Sequence, residues 1–298
     1  MRHSVFNSRL WLFSLLSVLL PLNTQAQLHA DKSSGVSDTI TKGSARSNHS
    51  FYAGSGFGSN MVYLGSTISQ NQPYCYGTLA YGFKNKLYAS ASAVHLSGYS
   101  PFLAFYIGAL NYNHVFSSWF DIAAGAYRYQ IAPSLSDTLF DSFYYGDLTL
   151  GVDWKLIYTK ISAGGLLSEE NQIYFQLRNS RYFQTPEFFH GKADISFDPY
   201  ANLLFGTTTE VKTSTNTTYV VSSPGRSWKK RRYGTSTVTS TSKRFGLIEF
   251  DFGLPVALNT DFMTIEAELD YILPVYNDPG IHDPKGFVFM LSGIFRIF

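Results

Sequence analysis

The chain has 298 residues, of which 45% are hydrophobic, 17% aromatic and only 15% charged. The formal charge of +2 is carried by Arg2 and Arg9 in an N-terminal leader; without them 21 basic residues face 21 acidic ones, which excludes the Lys/Arg excess that nucleic-acid binding needs. A single cysteine, Cys75, excludes an intrachain disulfide.

Residues 1–26 read as a signal peptide. Arg2 and Arg9 form a positive start, and Leu10 to Leu22 is an apolar run of about 13 residues, too short for a spanning helix. Pro21 and Asn23 break the run, and Thr24-Gln25-Ala26 supplies the small residues of a cleavage site. Residues 27–49 are polar, small and aperiodic, as expected of a flexible periplasmic lead-in.

From residue 50 onward, strand-like segments follow one another to the end. Their expected spans are 50–66, 73–83, 86–97, 102–116, 119–131, 139–152, 155–167, 172–184, 193–210, 243–256, 262–275 and 286–298. Gly58-Ser59-Asn60 is a plausible turn that could split the first. The connections alternate in length. Short ones fall at Lys84-Asn85, Ser117-Ser118, Asp153-Trp154 and Leu258 to Asp261. Longer ones fall at 69–72, 97–101, 132–137, 168–171, 211–242 and 277–285, and only 185–192 is longer than its side predicts.

Side-chain parity assigns faces. In a strand, alternate residues point to opposite sides. Met263, Ile265, Ala267, Leu269, Tyr271 and Leu273 form one wall, and Thr264, Glu266, Glu268 and Asp270 the other. In 193–205, Ile195, Phe197, Ala201, Leu203 and Phe205 oppose Asp194, Ser196, Asp198, Tyr200 and Asn202. In 246–254, Ile248, Phe250, Phe252 and Leu254 should meet lipid, with Glu249 and Asp251 pointing inward. Segments 102–112 and 155–167 are apolar on both faces, which predicts a partly filled interior rather than a wide pore.

The leader, the amphipathic strands, the aromatic excess and the last strand F-V-F-M-L-S-G-I-F-R-I-F resemble an outer-membrane β-barrel protein of a diderm bacterium. The resemblance covers about 50–298 and implies an all-β, closed antiparallel transmembrane barrel of about 12 strands, both ends toward the periplasm. It also implies contact with outer-membrane lipids and lipopolysaccharide, and insertion by the barrel-assembly machinery, which reads a terminal aromatic such as Phe298. Here Phe298 shares its parity with Arg296 rather than with the apolar set, so the strand is either bulged or ends at the rim.

Three constellations bear on function. The first is a lumen acidic patch of Asp194, Asp198, Glu249, Asp251, Glu266, Glu268 and Asp270, with Arg178 and Arg296, and also Arg128 and Lys160, as basic partners. Like charges on neighbouring strands need such partners, bound cations or protons. The patch therefore reads as a packed salt-bridge network, or as a surface selecting a small cationic or polar solute; no His or Cys joins it to suggest a metal. The second is His95-x-Ser97, with Asn111 and Asn113 on the next strand, a spacing similar to that of outer-membrane phospholipases and lipid A deacylases. Ala109 stands where the phospholipase pattern has its Asn. The third is the basic run Arg226 to Arg232 in a Ser/Thr-rich loop, suited to anionic sugar phosphates or to solvent. The reading that follows is a non-enzymatic narrow channel or structural barrel without cofactor or metal; the alternative is a lipid-modifying enzyme using His95 and Ser97.

Overall fold

The computed structural model describes residues 48–136, 138–167, 171–213, 217–221, 238–275 and 284–298. The expected signal peptide, nearly all of the lead-in and the Arg226–Arg232 run lie outside the described residues. Twelve wall strands follow in order: β1 His49–Gly58, β2 Tyr74–Phe83, β3 Leu87–Leu96, β4 Phe105–Ser117, β5 Phe120–Ile131 and β6 Phe143–Asp153. They continue as β7 Tyr158–Leu167, β8 Gln172–Ser180, β9 Tyr200–Thr213, β10 Val238–Thr260, β11 Met263–Pro274 and β12 Gly286–Arg296. Each pairs antiparallel with its sequence neighbour, and β12 pairs back onto β1, with Arg296 opposite Tyr52 and Met290 opposite Gly58. The sheet is a closed barrel, and closure leaves no edge along this ring to recruit other chains.

Connections of 97–104, 132–142 and 275–285, with 59–73 and 214–237, join strands at one end, the loop end. The turn end carries 84–86, 118–119, 154–157 and 261–262, together with the longer 181–199. Lys84 and Asn85 both take positive φ as the central residues of a tight turn, which the Lys86 amide closes by donating to the Phe83 carbonyl at 3.1 Å. Within 181–199, Phe183–Gln184 and Ala193–Phe197 prolong β8 and β9 toward the turn end. The expected strands 172–184 and 193–210 are therefore each interrupted. The second break falls at Asp198-Pro199, facing Pro255 of β10; neither proline has an N–H for the ladder, and the Asp198 amide donates to the Pro255 carbonyl at 3.3 Å instead.

The exterior is a belt of exposed apolar side chains, among them Leu79, Leu110, Leu148, Ile173, Leu269 and Phe289. Trp119, Trp154 and Phe262 rim it at the turn end, and Phe102, Tyr106 and Tyr144 at the loop end. Such a belt has no place in water; with an even-stranded closed barrel and a partly polar interior it makes this a transmembrane barrel of the outer-membrane type. Leu269→Arg is expected to cost about 2–4 kcal/mol, because a charge at mid-membrane loses its hydration, whereas Glu268→Gln on the inner face leaves the fold largely intact. Refolding titrations in detergent or vesicles check this, and equal losses would contradict the facing of β11.

Phe298 lies at the rim, resolving the parity of the last strand. Its carbonyl accepts from the Phe51 amide at 3.1 Å and its ring stacks on Phe51 at 5.9 Å.

The interior is divided. At the loop end it is a packed apolar core, with Phe105, Tyr129, Phe143, Leu204 and Ile248 pointing in. Into it folds the connection after β1, a hairpin pairing Val62–Tyr63 with Ser66–Thr67. This corrects the expected first strand 50–66: the wall strand stops at Gly58, and 59–73 turns inward. Met61, Tyr63 and Leu64 are almost wholly buried, with the Tyr63 ring 5.3 Å from Tyr129 and 5.9 Å from Tyr145. Leu64 and Gly65 hold the positive φ values of a tight turn, and a Cβ on Gly65 would strike Ile248. Asn60 ties the hairpin together: its Oδ1 accepts from Thr67 Oγ1 at 2.5 Å and Ser69 Oγ at 2.9 Å, and its Nδ2 donates to Asn71 at 2.7 Å. Leu135, Leu139 and Phe140 from the 132–142 connection join the same core.

Ile248 is a second correction. It was expected to face lipid but is fully buried, because a β-bulge lets Phe205 pair with Leu247 while Leu204 pairs with Glu249. The extra residue turns both Ile248 and Glu249 inward.

Candidate functional site

Toward the turn end the lumen is polar, and its densest constellation lies on β8 to β11. Asp194, Asp198, Glu249, Asp251 and Glu268 are buried, and Glu266 and Asp270 are partly buried on the same inner face. Cross-strand register keeps these carboxylates from facing one another. Glu266 lies opposite Ala257, Glu268 opposite Pro255 and Asp270 opposite Gly253, while Asp251 sits between Asn202 and Ile272. The acids of β10 are thus staggered against those of β11, and the direct like-charge neighbours of Glu268 are Glu266 and Asp270, two residues either way along its own strand.

Neutral donors stitch the cluster. Asn202 Nδ2 donates to Asp251 Oδ2 at 2.5 Å, and Asn259 Nδ2 to Asp194 Oδ1 at 2.8 Å and Ser196 Oγ at 3.1 Å. Tyr200 donates its hydroxyl to Asp270 Oδ1 at 2.8 Å and Glu268 Oε1 at 3.2 Å. The ring reaches them by crossing over Gly253, where any Cβ would meet both Tyr200 and Asp270. Gly253→Leu should therefore displace Tyr200 and weaken the barrel; a side-chain-sized change there that leaves refolding stability untouched would contradict this role.

Among the described residues, two buried cations serve the group. Arg178 of β8 is buried, with its guanidinium 3.3 Å from the centre of the Tyr200 ring, and it lies within Coulombic reach of Asp198, Asp251, Glu266, Glu268 and Asp270. Lys160, its direct cross-strand neighbour on β7, is buried beside Asp121 and Asp198. Arg296 keeps inward parity but is exposed at the turn-end mouth, where it acts on Tyr88. Arg128 does not enter the lumen: it points outward, 4.2 Å over the Tyr144 ring and 2.8 Å from Gln130. Its neighbours Tyr127 and Tyr129 take the inner face.

Between this acidic wall and the hairpin lies a cavity of about 40 Å³. Asn60, Tyr74, Tyr200, Glu249, Asp251 and Asp270 line its polar side, and Val62, Ile272, Val288 and Met290 its apolar side. Among the described residues, no group of three His, Cys, Asp or Glu side chains is placed to hold a metal ion.

His95 faces outward near the loop end, directly across from Cys75. Its Nδ1 is 2.5 Å from the Phe102 carbonyl and its ring stacks on Phe102 at 4.6 Å. Asn111 and Asn113 have inward parity; Asn111 accepts from Tyr127 at 2.8 Å, on the opposite face of the wall from the imidazole. The constellation does not assemble as a triad.

The roles of Tyr200, Asn202, Asn259 and Asn60 were not evident from sequence. Tyr200 and Asn202 carry the right parity, but their partners depend on register, and Asn60 depends on the inward hairpin.

No family model and no curated protein matches the chain. Solved structures that resemble it include a KdgM porin (8% identity, TM-score 0.43, 83% of this chain and 98% of that one) and a NanC porin (8%, 0.43, 82% and 98%). LpxR from Salmonella typhimurium also resembles it (9%, 0.41, 83% and 99%).

Proposed function

We propose that this protein is a non-enzymatic outer-membrane barrel, held shut at rest by its own first loop-end hairpin, whose lumen favours small cations over anions when the hairpin gives way. The loop end faces outward and both barrel ends, at β1 and β12, face the periplasm. The observation that carries this reading is the hairpin itself. Burying Met61, Val62, Tyr63, Leu64 and Ile68 stabilises the seated position by about 1.5–3 kcal/mol per large side chain, so spontaneous expulsion is rare. Below it, the carboxylates outnumber Arg178 and Lys160, and acidic linings favour cations.

The wild-type protein in planar bilayers is expected to show no steady conductance. A persistently open channel would overturn the closed-at-rest reading.

One observation favours a lipid-modifying alternative: His95 and Ser97 fall on the outward face at the loop end. The imidazole there is engaged by the Phe102 backbone carbonyl and ring, and among the described residues no acid or amide side chain is hydrogen-bonded to it. Hydrolysis of phospholipid or lipid A by the refolded protein, abolished by His95→Ala, would support the alternative; no turnover is expected.

A further inference from the structure

The cavity under the hairpin has a composition that selects one class of cation. Asp251 is only 6% exposed; Asn202 satisfies its Oδ2, while its Oδ1 has no hydrogen-bond partner. That oxygen belongs to a side chain lining the cavity. A buried carboxylate oxygen without a donor is costly, and a charged donor is the group that relieves it. A metal ion fits poorly, since the described residues group no three ligating side chains. An ammonium group needs less: its three N–H donors are met by one or two carboxylates and by aromatic or carbonyl neighbours. Asp251, Glu249 and Asp270 supply the carboxylates and Tyr74 an aromatic wall. The opposite side is apolar, which a hydrated sodium ion would waste and an alkyl group would fill.

We propose that this cavity binds a small primary alkylammonium ion, with its ammonium on Asp251 and its carbons against Val62, Ile272, Val288 and Met290. Its size sets the limit: 40 Å³ holds about three water-sized groups, which admits methylammonium and ethylammonium and excludes tetramethylammonium. Because Asn60 and Val62 belong to the hairpin, a bound ion also links the hairpin to the acidic wall. The inference rests on the cation-favouring lumen proposed above, but it is read by binding rather than by current, so the two can fail separately.

The test is equilibrium dialysis of labelled methylammonium against the mature protein refolded in detergent in its presence, which removes any barrier to entry. Wild type should bind saturably, ethylammonium should compete, and sodium and tetramethylammonium at equal ionic strength should not. Asp251→Asn should weaken binding by about tenfold or more, the size of one charge-assisted hydrogen bond, while Glu266→Gln, outside the cavity lining, should retain it. Should Asp251→Asn fail to refold, Val288→Phe fills the apolar side and should abolish ethylammonium competition. No binding by folded wild type, equal competition by sodium, or unchanged binding in both cavity variants would overturn the assignment.

Discussion

Replacing Arg178 with methionine should destabilise the barrel by about 3–5 kcal/mol, the usual consequence of removing one partner from a buried ionic cluster. Arg178 is buried at the centre of the acidic wall, acting on carboxylates of β10, β11 and the Asp198 break, with its flat guanidinium stacked on Tyr200. Methionine keeps much of the volume and loses the charge, so the loss reports uncompensated carboxylates rather than a hole. Arg178→Lys should fall between the two, since it keeps the charge and loses the planar stack. Acid should shrink the methionine deficit, because protonated carboxyls no longer require a cation. Urea unfolding in detergent micelles measures each case. A methionine variant as stable as wild type would mean that the staggered register and the neutral donors suffice, and that the lumen needs no central cation.

Charge preference should disappear when the patch is neutralised. In a background whose hairpin 59–72 is replaced by a short turn, Glu249, Asp251, Glu266, Glu268 and Asp270 are changed together to Gln or Asn. The parent is expected to show a reversal potential displaced toward cation selectivity in a salt gradient. The five-fold variant should move to near zero, because only Asp194 and Asp198 of the acidic set are then left to offset Arg178 and Lys160. The same displacement in both proteins would remove the patch from any selectivity role and leave it as internal packing.

Much of the wall was legible in the chain because period-two alternation is a local property. The faces of β11, β12 and the 193–205 segment came out as expected, from Leu269 outward to Asp194 inward. The alternation of long and short connections marked the two ends for the same reason. What failed depends on partners. Val62 and Tyr63 prolong the alternation of β1 well enough to pass for wall, and only the core around Tyr129 and Phe143 shows that the chain turned inward. Ile248 shares a parity with Phe250, but a one-residue bulge against Leu204 and Phe205 reversed its face. The acidic residues were legible as an inward set, whereas their stagger, the Tyr200 bridge over Gly253 and the Asn202–Asp251 pair follow from register, which no single strand encodes. Arg128 was placed among the lumen cations by charge alone; its parity with Ala126 and Gln130 puts it outside.

The central claim, that the first hairpin closes a cation-favouring barrel, is tested most directly by recording wild type and the short-turn variant of 59–72 in the same planar bilayer under a salt gradient. The account predicts a silent wild type and a variant that conducts steadily with a cation-selective reversal potential. A wild type that conducts as freely as the variant, or a correctly folded variant that remains silent, would contradict it.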